Sequence, residues 1–335
     1  MMKRKPIRLS KEDLIQSGYL SNEAKLPLVI RPSAESLNLT DWASHTREFI
    51  TTLLPKYRAV LFRDFQLTSE LEFEQFIKAI SEGLLEYTYG STPRSHVSGK
   101  IYTSTEYPAD QAIPLHNEMS YAAQWPMKIW FFCLRCADQQ GETPIADSQR
   151  VFERIPPQIR EQFIRKGVMY IRNYGKGIDV PWEQVFHTSS RSEVESYCQM
   201  AGIKAEWLND GRLRTRQLCQ AAATHPKTGE TVWFNQAHLF HASSLSPDLR
   251  ASLLASFKEE DLPRHACFGD GSPIQTEMLD EIREAYRQEM VLFSWQQGDI
   301  LMLDNMLTAH GRMPFTGPRK ILVGMAEPWS PGSQA

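Results

Sequence analysis

The 335-residue chain has no apolar run long enough to span a bilayer and no excess of basic residues. Lysine and arginine number 37 against 40 aspartate and glutamate residues, so the composition carries no footprint for nucleic-acid binding. The five cysteines are scattered and odd in number, which fits a reducing compartment better than a disulfide framework. No apolar segment follows the short basic N-terminus, so we expect no secretory signal. These absences predict a soluble cytoplasmic protein without membrane or nucleic-acid partners.

The sequence also lacks internal repeats, a glycine-rich nucleotide fingerprint and the regular strand–helix alternation that a parallel dinucleotide-binding sheet requires. Helical patterns dominate up to about residue 85, and short strand-like segments mixed with helices follow from about residue 100 to the end. This arrangement favours a mainly β chain with helices, of the α+β class, whose core is a barrel or jelly roll.

The N-terminal part predicts helix, helix, strand and helix in that order. A capping-box-like start at Ser10 and a stop at Gly18 bound the first helix, and Thr40 is the predicted cap of the second. Residues 59–65 (AVLFRDF) predict a buried strand, and Thr68 is the predicted cap of the helix after it.

The stretch IPLHNEMSY places a histidine and a carboxylate two residues apart among apolar neighbours. If the segment is a strand, His116 and Glu118 project from the same face and Asn117 points away. Such a pair can hold a metal or share a proton, and it also occurs as an ordinary surface or core polar pair. The pair alone is therefore not specific.

A second histidine motif lies in DILMLDNMLTAHGR. Residues 299–303 alternate as a buried strand, a turn is predicted at Asp304 and Asn305, and His310 ends the next apolar run. With His116 and Glu118 this histidine completes a set of two imidazoles and one carboxylate. Such a facial triad binds Fe(II) and leaves coordination positions open for other reactants.

Two further residues suggest a receptor for an acid. Arg319 stands before an apolar run, at the predicted start of a strand, where a guanidinium can clamp a carboxylate with hydrogen bonds worth about 1.5–3 kcal/mol. Thr143, in the strand-like segment GETPIADS, can offer a hydroxyl to the same carboxylate. Together they would suit the distal end of 2-oxoglutarate.

In this order the motifs resemble those of the TauD/TfdA-type Fe(II)/2-oxoglutarate-dependent dioxygenases. The segments that carry the resemblance are LHNEMSY, GETPIADS, HPKTGETVWFNQAHLFH and LDNMLTAHGRMPFTGPRKIL. The closer resemblance is to the clavaminate-synthase-like and syringomycin-biosynthesis-type members, which modify amino acids, sometimes while these are tethered to a carrier protein.

The resemblance implies a double-stranded β-helix core, a cupin-like jelly roll, in a single domain of 335 residues. It covers about residues 55–328, and we assign about residues 1–55 to an N-terminal helical extension and about 181–260 to a helical insert.

By the same resemblance, the two histidines and the glutamate bind Fe(II), while Thr143 and Arg319 bind the co-substrate 2-oxoglutarate, and O2 is the third reactant. Relatives vary in the distance from the last histidine to the arginine, so Arg312 is the alternative to Arg319. The chain keeps Glu118 where related halogenases lack the carboxylate, which disfavours halogenation.

The implied function is hydroxylation of an amino acid or amino-acid-like carboxylate in a specialised biosynthetic pathway such as antibiotic biosynthesis. The substrate is free or carried on a peptidyl carrier protein, and an oligomer is compatible with the sequence. Alternatives are the same chemistry used catabolically on a sulfonate or aryloxy acid, desaturation or epoxidation, a non-catalytic cupin-like binding protein, and a zinc hydrolase. The hydrolase fits worst, because it gives Arg319 and Thr143 no role.

Three residues are predicted substrate contacts at the mouth of the barrel: Arg94 in STPRS, Ser104 in STEY, and Asn235 in VWFNQAHLFH. Cys133 and Cys136 form the only C-x-x-C. We interpret them as core residues, because positions three apart on a strand face opposite sides and no second pair completes a zinc site.

The histidines outside the predicted triad have ambiguous roles. We expect at least one of His238 and His241 in the active-site wall or in a structural hydrogen bond. His225 is expected to be a structural polar residue in a turn.

Overall fold

The computed structural model describes residues 14–21, 25–85, 96–103, 107–175 and 180–332. None of the described helices is long and apolar enough to cross a membrane. The helices are α1 (Leu39–His45), α2 (Arg47–Tyr57), α3 (Glu70–Ile80), α4 (Ser148–Arg154), α5 (Pro157–Lys166), α6 (Trp182–Val185), α7 (Arg191–Met200), α8 (Ala237–Phe240), α9 (Pro247–Ser256) and α10 (Thr276–Glu289).

The strands are β1 (Ile15–Tyr19), β2 (Leu28–Pro32), β3 (Ala59–Phe62), β4 (His96–Ser98), β5 (Ile101–Thr103), β6 (Ile113–His116), β7 (Trp125–Arg135), β8 (Gln139–Gln140), β9 (Ile145–Asp147), β10 (Val168–Tyr174), β11 (Lys204–Trp207), β12 (Leu213–Cys219), β13 (Ala222–Thr224), β14 (Thr231–Trp233), β15 (Arg264–Phe268), β16 (Ile300–Asp304), β17 (Thr308–Arg312), β18 (Phe315–Thr316) and β19 (Lys320–Trp329).

The largest sheet has eight strands in the order β1-β2-β3-β16-β7-β19-β5-β4, and only the β2–β3 pair is parallel. Its two longest strands, β7 and β19, pair from Trp125↔Trp329 to Arg135↔Lys320. The first nine residues of β7 are all buried. A strand buried on both faces reads as a continuous apolar run, which is why this segment shows little alternation.

One face of the large sheet packs against helices α1 to α3, where Trp42, Phe73 and Trp130 share a core cluster. The opposite face packs toward a three-stranded sheet, β6-β17-β9, and Ile145 of β9 lies in the same core cluster as Phe131 of β7. Two sheets packed face to face, decorated by helices, form a jelly roll. The predicted fold class is confirmed.

The predicted helical insert over about 181–260 is wrong in part, because β11 and β12 lie inside it. They join β10 and β15 in a four-stranded sheet of order β11-β12-β10-β15. Strand β12 pairs with β10 along seven residues, from Val168↔Cys219 to Tyr174↔Leu213. This pairing with a distant segment overrides the local helical pattern, since strand stability comes mainly from neighbouring strands.

The predicted helix from Ser10 to Gly18 is also wrong over its described part. Residues Ile15–Tyr19 form β1, which pairs antiparallel with β2, so the predicted helical extension contains two strands of the large sheet. Pairing of β1 along its whole length outweighs a weak local preference for helix.

Two predicted helix caps shift by one or two residues. Asn38, and not Thr40, caps α1, because its side chain accepts from the backbone N–H of Asp41. Ser69, and not Thr68, caps α3 and forms a capping box with Glu72. Both helices nevertheless begin where a polar side chain satisfies a free backbone donor.

Candidate active site

Three donor side chains meet where β6 and β17 pair. His116 ends β6 and lies directly opposite His310 of β17, with the two ring centroids 4.7 Å apart. The Oε2 atom of Glu118 lies 3.9 Å from the Nε2 atom of His310. One ligand atom from each of these residues can be chosen so that all lie within 4.8 Å of one another. The set can therefore close on a single ion.

The position of Glu118 differs from the expectation in one respect. Strand β6 ends at His116, so Glu118 lies in the turn that follows, and the next residue, Met119, has a φ of 55°. His116 and Glu118 do lie close together, as predicted. The reason given was wrong, because Glu118 is in a turn and not on the same strand face as His116. Asn117 points away as predicted, and its Nδ2 atom donates to Ser148 Oγ at 2.9 Å.

The two histidines of this set are held by different contacts. His116 Nδ1 donates to the carbonyl oxygen of Pro114 at 2.8 Å, which leaves Nε2 as the ring's lone-pair donor. The His310 ring packs on Phe131, with centroids 5.0 Å apart. Glu118 and His310 are both buried. Burying a carboxylate is costly unless its charge is compensated, and a divalent cation would supply that compensation.

Arg319 is the arginine whose guanidinium has no acidic partner among the described residues. Its Nε donates to the carbonyl of Gly141 at 3.0 Å, and none of the described acidic side chains lies within ion-pair distance. Burial, with Arg312 nearby, lowers the pKa of Arg319 to about 10. Thr143 is buried, and its Oγ1 accepts from Trp295 Nε1 at 3.1 Å. The hydroxyl proton of Thr143 is thereby left for another acceptor.

Arg312, the alternative, is already engaged. Its guanidinium donates to the carbonyl oxygens of Tyr107 at 3.0 Å, Pro108 at 2.6 Å and Gln111 at 2.9 Å. Arg312 therefore fastens a loop, and its geometry does not favour the co-substrate role.

A cavity of about 480 Å³ opens onto His116 and Glu118. Apolar side chains from α8 and the segments after it form much of its wall, together with Ile113 and Pro114. Its polar lining outside the metal set includes Tyr107, Gln111, Gln236, His241, Ser244 and Arg264.

The predicted substrate contacts have different outcomes. Arg94 and Ser104 lie outside the described residues. Asn235 is fully buried; its Nδ2 donates to the carbonyl of Ala221 at 2.7 Å and its Oδ1 accepts from the N–H of Ala237 at 3.0 Å. The structure therefore does not support Asn235 as a substrate contact, because both of its polar atoms hold the backbone.

The neighbour of Asn235, Gln236, lines the cavity instead, and sequence reasoning missed it. In the sequence, the histidines of the segment NQAHLFH are the evident candidates. Which of its side chains line the cavity depends on the short helix α8. Gln236 Nε2 also donates to the carbonyl of Asn117 at 2.8 Å, beside the turn that carries Glu118.

His241 and His238 take the two roles expected for this segment, one in the cavity wall and one in a structural hydrogen bond. His241 lines the cavity, and burial lowers its pKa to about 4. Its Nδ1 accepts from the N–H of Ser243 at 3.1 Å, so the proton of the neutral ring is on Nε2. His238 is structural: its Nε2 donates to the carbonyl of Leu115 at 2.9 Å, and burial lowers its pKa to about 3.

The C-x-x-C pair does not face opposite sides, and this prediction is wrong. Strand β7 ends at Arg135, and Cys136 turns back so that its Sγ lies 3.4 Å from that of Cys133. Cys133 is fully buried, as a core residue should be. Among the described residues no second group completes a metal site with them.

Comparisons with known proteins agree on one family. The profile of the family described as "Taurine catabolism dioxygenase TauD, TfdA family" matches residues 24–326. The chain is 39% identical over 306 residues to the dapdiamide synthesis protein DdaC of Enterobacter agglomerans, covering 91% of this chain and 92% of that protein. It is 29% identical over 324 residues to a clavaminate synthase-like protein of Arabidopsis thaliana, covering 90% and 93%.

Among solved structures, the crystal structure of PvcB from Pseudomonas aeruginosa superposes with a TM-score of 0.56 at 13% identity, covering 97% of this chain and 95% of that one. Another structure of PvcB, described as an Fe, alpha-ketoglutarate dependent oxygenase from an isonitrile synthetic pathway, has a TM-score of 0.55 at 14% identity over the same shares. At these identities the likeness shows a common fold.

Proposed function

The chain belongs to the TauD, TfdA family of dioxygenases, and we propose that it hydroxylates an amino acid or amino-acid-like carboxylate in a specialised biosynthetic pathway. The reaction class follows from the family: the protein is an oxygenase that depends on Fe(II), 2-oxoglutarate and O2. The observation that carries the proposal is the convergence of His116, Glu118 and His310 beside the cavity.

These three residues would hold the iron, and their chemistry fits it. Two neutral imidazoles and one carboxylate are the donors that ferrous iron accepts in oxygenases, with positions left for co-substrate and O2. When bound, iron with 2-oxoglutarate supplies the oxidising power for attack on a C–H bond. The chain's part is to keep His116 in one tautomer, through Pro114, and to keep the carboxylate buried beside His310.

Arg319 and Thr143 would bind the distal carboxylate of 2-oxoglutarate. The guanidinium of Arg319 is mostly buried and has no described acidic partner, so a carboxylate there meets little competition from water. Thr143 adds a hydroxyl proton, since its oxygen already accepts from Trp295. We prefer Arg319 to Arg312 because three backbone carbonyls already occupy the guanidinium of Arg312.

The biosynthetic assignment is supported by the name of the 39% identical relative, a dapdiamide synthesis protein, and by that of the clavaminate synthase-like relative. The cavity suits an amino-acid-like molecule, because donors such as His241 Nε2–H line one part of its wall and apolar side chains line another. A substrate carried on a peptidyl carrier protein, an oligomeric state and a cytoplasmic location are further parts of the proposal.

The first experiment is anaerobic addition of Fe(II) and 2-oxoglutarate to the metal-free protein. We expect the weak visible charge-transfer band of a chelated ferrous site, and we expect the His310→Ala variant to lack it. Amino acids and carrier-bound aminoacyl groups are then screened for stimulation of O2 uptake and succinate release. Absence of the band in the wild-type protein, with tight zinc binding in its place, would overturn the assignment.

A further inference from the structure

The carboxylate of the candidate metal centre is not on a strand, so something else must fix the turn that carries it. That role falls to the side chain of Asn305. Its Oδ1 accepts from the backbone N–H of Glu118 at 2.8 Å, and its Nδ2 donates to the carbonyl of Glu118 at 2.9 Å. The second Nδ2 proton goes to the carbonyl of Pro126 at 2.9 Å.

This carboxamide replaces a strand partner. Both backbone polar groups of Glu118 are paired as they would be in an antiparallel ladder, although β6 has already ended. Asn305 is fully buried and both of its Nδ2 protons are used. A buried amide costs free energy unless its hydrogen bonds are made, so this side chain has little freedom to leave the arrangement.

The backbone of Asn305 connects the same turn to the last histidine. Asn305 lies between β16 and β17, and its carbonyl accepts from Asn117 Nδ2 at 2.6 Å. Strand β17 carries His310. The turn with Glu118 and the hairpin with His310 are thus fastened by hydrogen bonds between residues 187 and 188 positions apart in the sequence.

The hairpin is itself braced near Asn305. Asp304 Oδ1 accepts from the backbone N–H groups of Met306 and Leu307, both at 3.0 Å. Thr308 Oγ1 donates to the carbonyl of Arg58 at 2.8 Å. The hairpin from which Asn305 contacts Glu118 is therefore itself held in place by hydrogen bonds.

We propose that Asn305 is a positioning residue of the metal centre, which sets the place of the Glu118 carboxylate relative to His310. The proposal rests on the proposed function, in that Glu118 and His310 are taken as metal ligands. Residues that orient metal ligands typically change metal affinity by about 10–100-fold when they are replaced. We expect an effect of that size.

Asn173 offers a matched control for the loss of a buried asparagine. It is also fully buried, its Nδ2 donates to two backbone carbonyls, of Glu260 at 2.8 Å and Leu262 at 2.7 Å, and its Oδ1 accepts one bond, from Arg214 at 2.7 Å. These contacts join β10 to β12 and to the segment before β15, and none of them involves a candidate ligand of the metal centre.

The experiment compares Asn305→Asp and Asn305→Ser with Asn173→Asp and Asn173→Ser. The melting temperature and the dissociation constant for Mn(II) are measured for each metal-free protein, and the visible spectrum of the Co(II) form reports the ligand geometry. We expect all four variants to melt at lower temperature. Only the Asn305 variants should bind Mn(II) about 10–100-fold more weakly and change the Co(II) spectrum.

The two Asn305 variants separate orientation from charge. Asn305→Asp keeps the acceptor for the Glu118 N–H but turns an oxygen toward the carbonyls of Glu118 and Pro126. An added negative charge would by itself favour a cation, so weaker Mn(II) binding in this variant reports lost orientation. Asn305→Ser carries no charge, loses the acceptor as well, and should bind more weakly still.

Equal Mn(II) affinity in Asn305 and wild-type proteins would overturn the inference, and so would equal weakening by the Asn173 variants. Failure of the wild-type protein to bind Mn(II) would instead overturn the proposed function. Hydrogen exchange of the wild-type metal-free protein tests the inference even if the variants do not fold. We expect slow exchange at the Glu118 amide. Exchange as fast as in exposed loops would contradict the hydrogen bond between this amide and Asn305.

Discussion

Within the described residues, two buried histidine–carboxylate pairs differ in their spacing: one, the closed pair, is joined by a direct hydrogen bond, and the other, the open pair, is not. In the closed pair, His225 Nε2 donates to Asp304 Oδ2 at 3.1 Å, and His225 Nδ1 accepts from the N–H of Thr228 at 3.1 Å. In the open pair, His310 Nε2 and Glu118 Oε2 are 3.9 Å apart, too far for a direct hydrogen bond. A closed pair stabilises the fold, whereas the spacing of the open pair lets both of its side chains reach a single ion.

The same distinction separates the two arginines near the site. Arg312 is closed at both terminal nitrogens, which donate to three backbone carbonyls, and only its buried Nε lacks a partner among the described residues. Arg319 is open, since only its Nε is used within the described part of the chain. The comparison teaches that residue type does not distinguish a scaffold residue from a binding residue. The difference lies in whether the hydrogen-bonding capacity is already used.

The largest expected difference is between His310→Ala and His225→Ala. We expect His310→Ala to abolish tight binding of Fe(II) or Mn(II), because one of the three ligands is removed. We expect His225→Ala to keep metal binding and to lower the free energy of unfolding by about 3 kcal/mol, because the buried Oδ2 atom of Asp304 loses its hydrogen-bond donor. Calorimetric metal titration and urea unfolding measure the two effects.

Loss of metal binding in His225→Ala as complete as in His310→Ala would contradict the distinction between the closed and the open pair. A thermal-shift series sharpens it: Mn(II) at 100 times its dissociation constant should stabilise the wild-type protein by about 2.7 kcal/mol. The stabilisation should persist in His225→Ala and vanish in His310→Ala.

The second prediction compares Arg319→Met with Arg312→Met. Loss of charge-assisted hydrogen bonds worth about 1.5–3 kcal/mol should weaken 2-oxoglutarate binding by about 10–150-fold in Arg319→Met. Arg312→Met should weaken it much less and instead loosen the loop at residues 107–111. Titration of 2-oxoglutarate into the anaerobic ferrous protein gives both constants, and the reverse order would reassign the co-substrate to Arg312.

The smallest expected effect concerns pH and His241. Its pKa is about 4 in the folded protein and about 6.5 when unfolded, so the unfolded chain binds the extra proton between these values. The free energy of unfolding therefore keeps its full value above pH 6.5, where His241 is neutral in both states, and falls as the pH drops toward 4. We expect the wild-type protein to lose about 1–2 kcal/mol from this residue between pH 7 and pH 5.

Urea unfolding at pH 7 and pH 5 checks the effect, with His241→Gln as the comparison. Glutamine keeps a polar side chain but does not titrate, so this variant should lose less stability across the same interval. Equal losses in the two proteins would show that His241 is not the group responsible.

Sequence reasoning predicted β3 and β16, which pair in the large sheet, because both are continuous apolar segments and such patterns are local. It failed for β1 and β12, whose partners lie elsewhere in the chain. It also found the three donors of the candidate centre but gave a wrong reason for the place of Glu118. Asn305 was read only as part of a turn, since nothing local indicates what its side chain contacts.

By itself, the sequence determined the kinds of donor, their order along the chain and the family they indicate, because these are properties of residue type and spacing. The tertiary structure decided which of two arginines stays open, which of the buried histidines are closed, and how Glu118 is held. Each of these depends on contacts between distant segments, such as the bond between Asn305 and Glu118 across 187 positions. Such contacts form only when the sheets pack, and for that reason no local pattern encodes them.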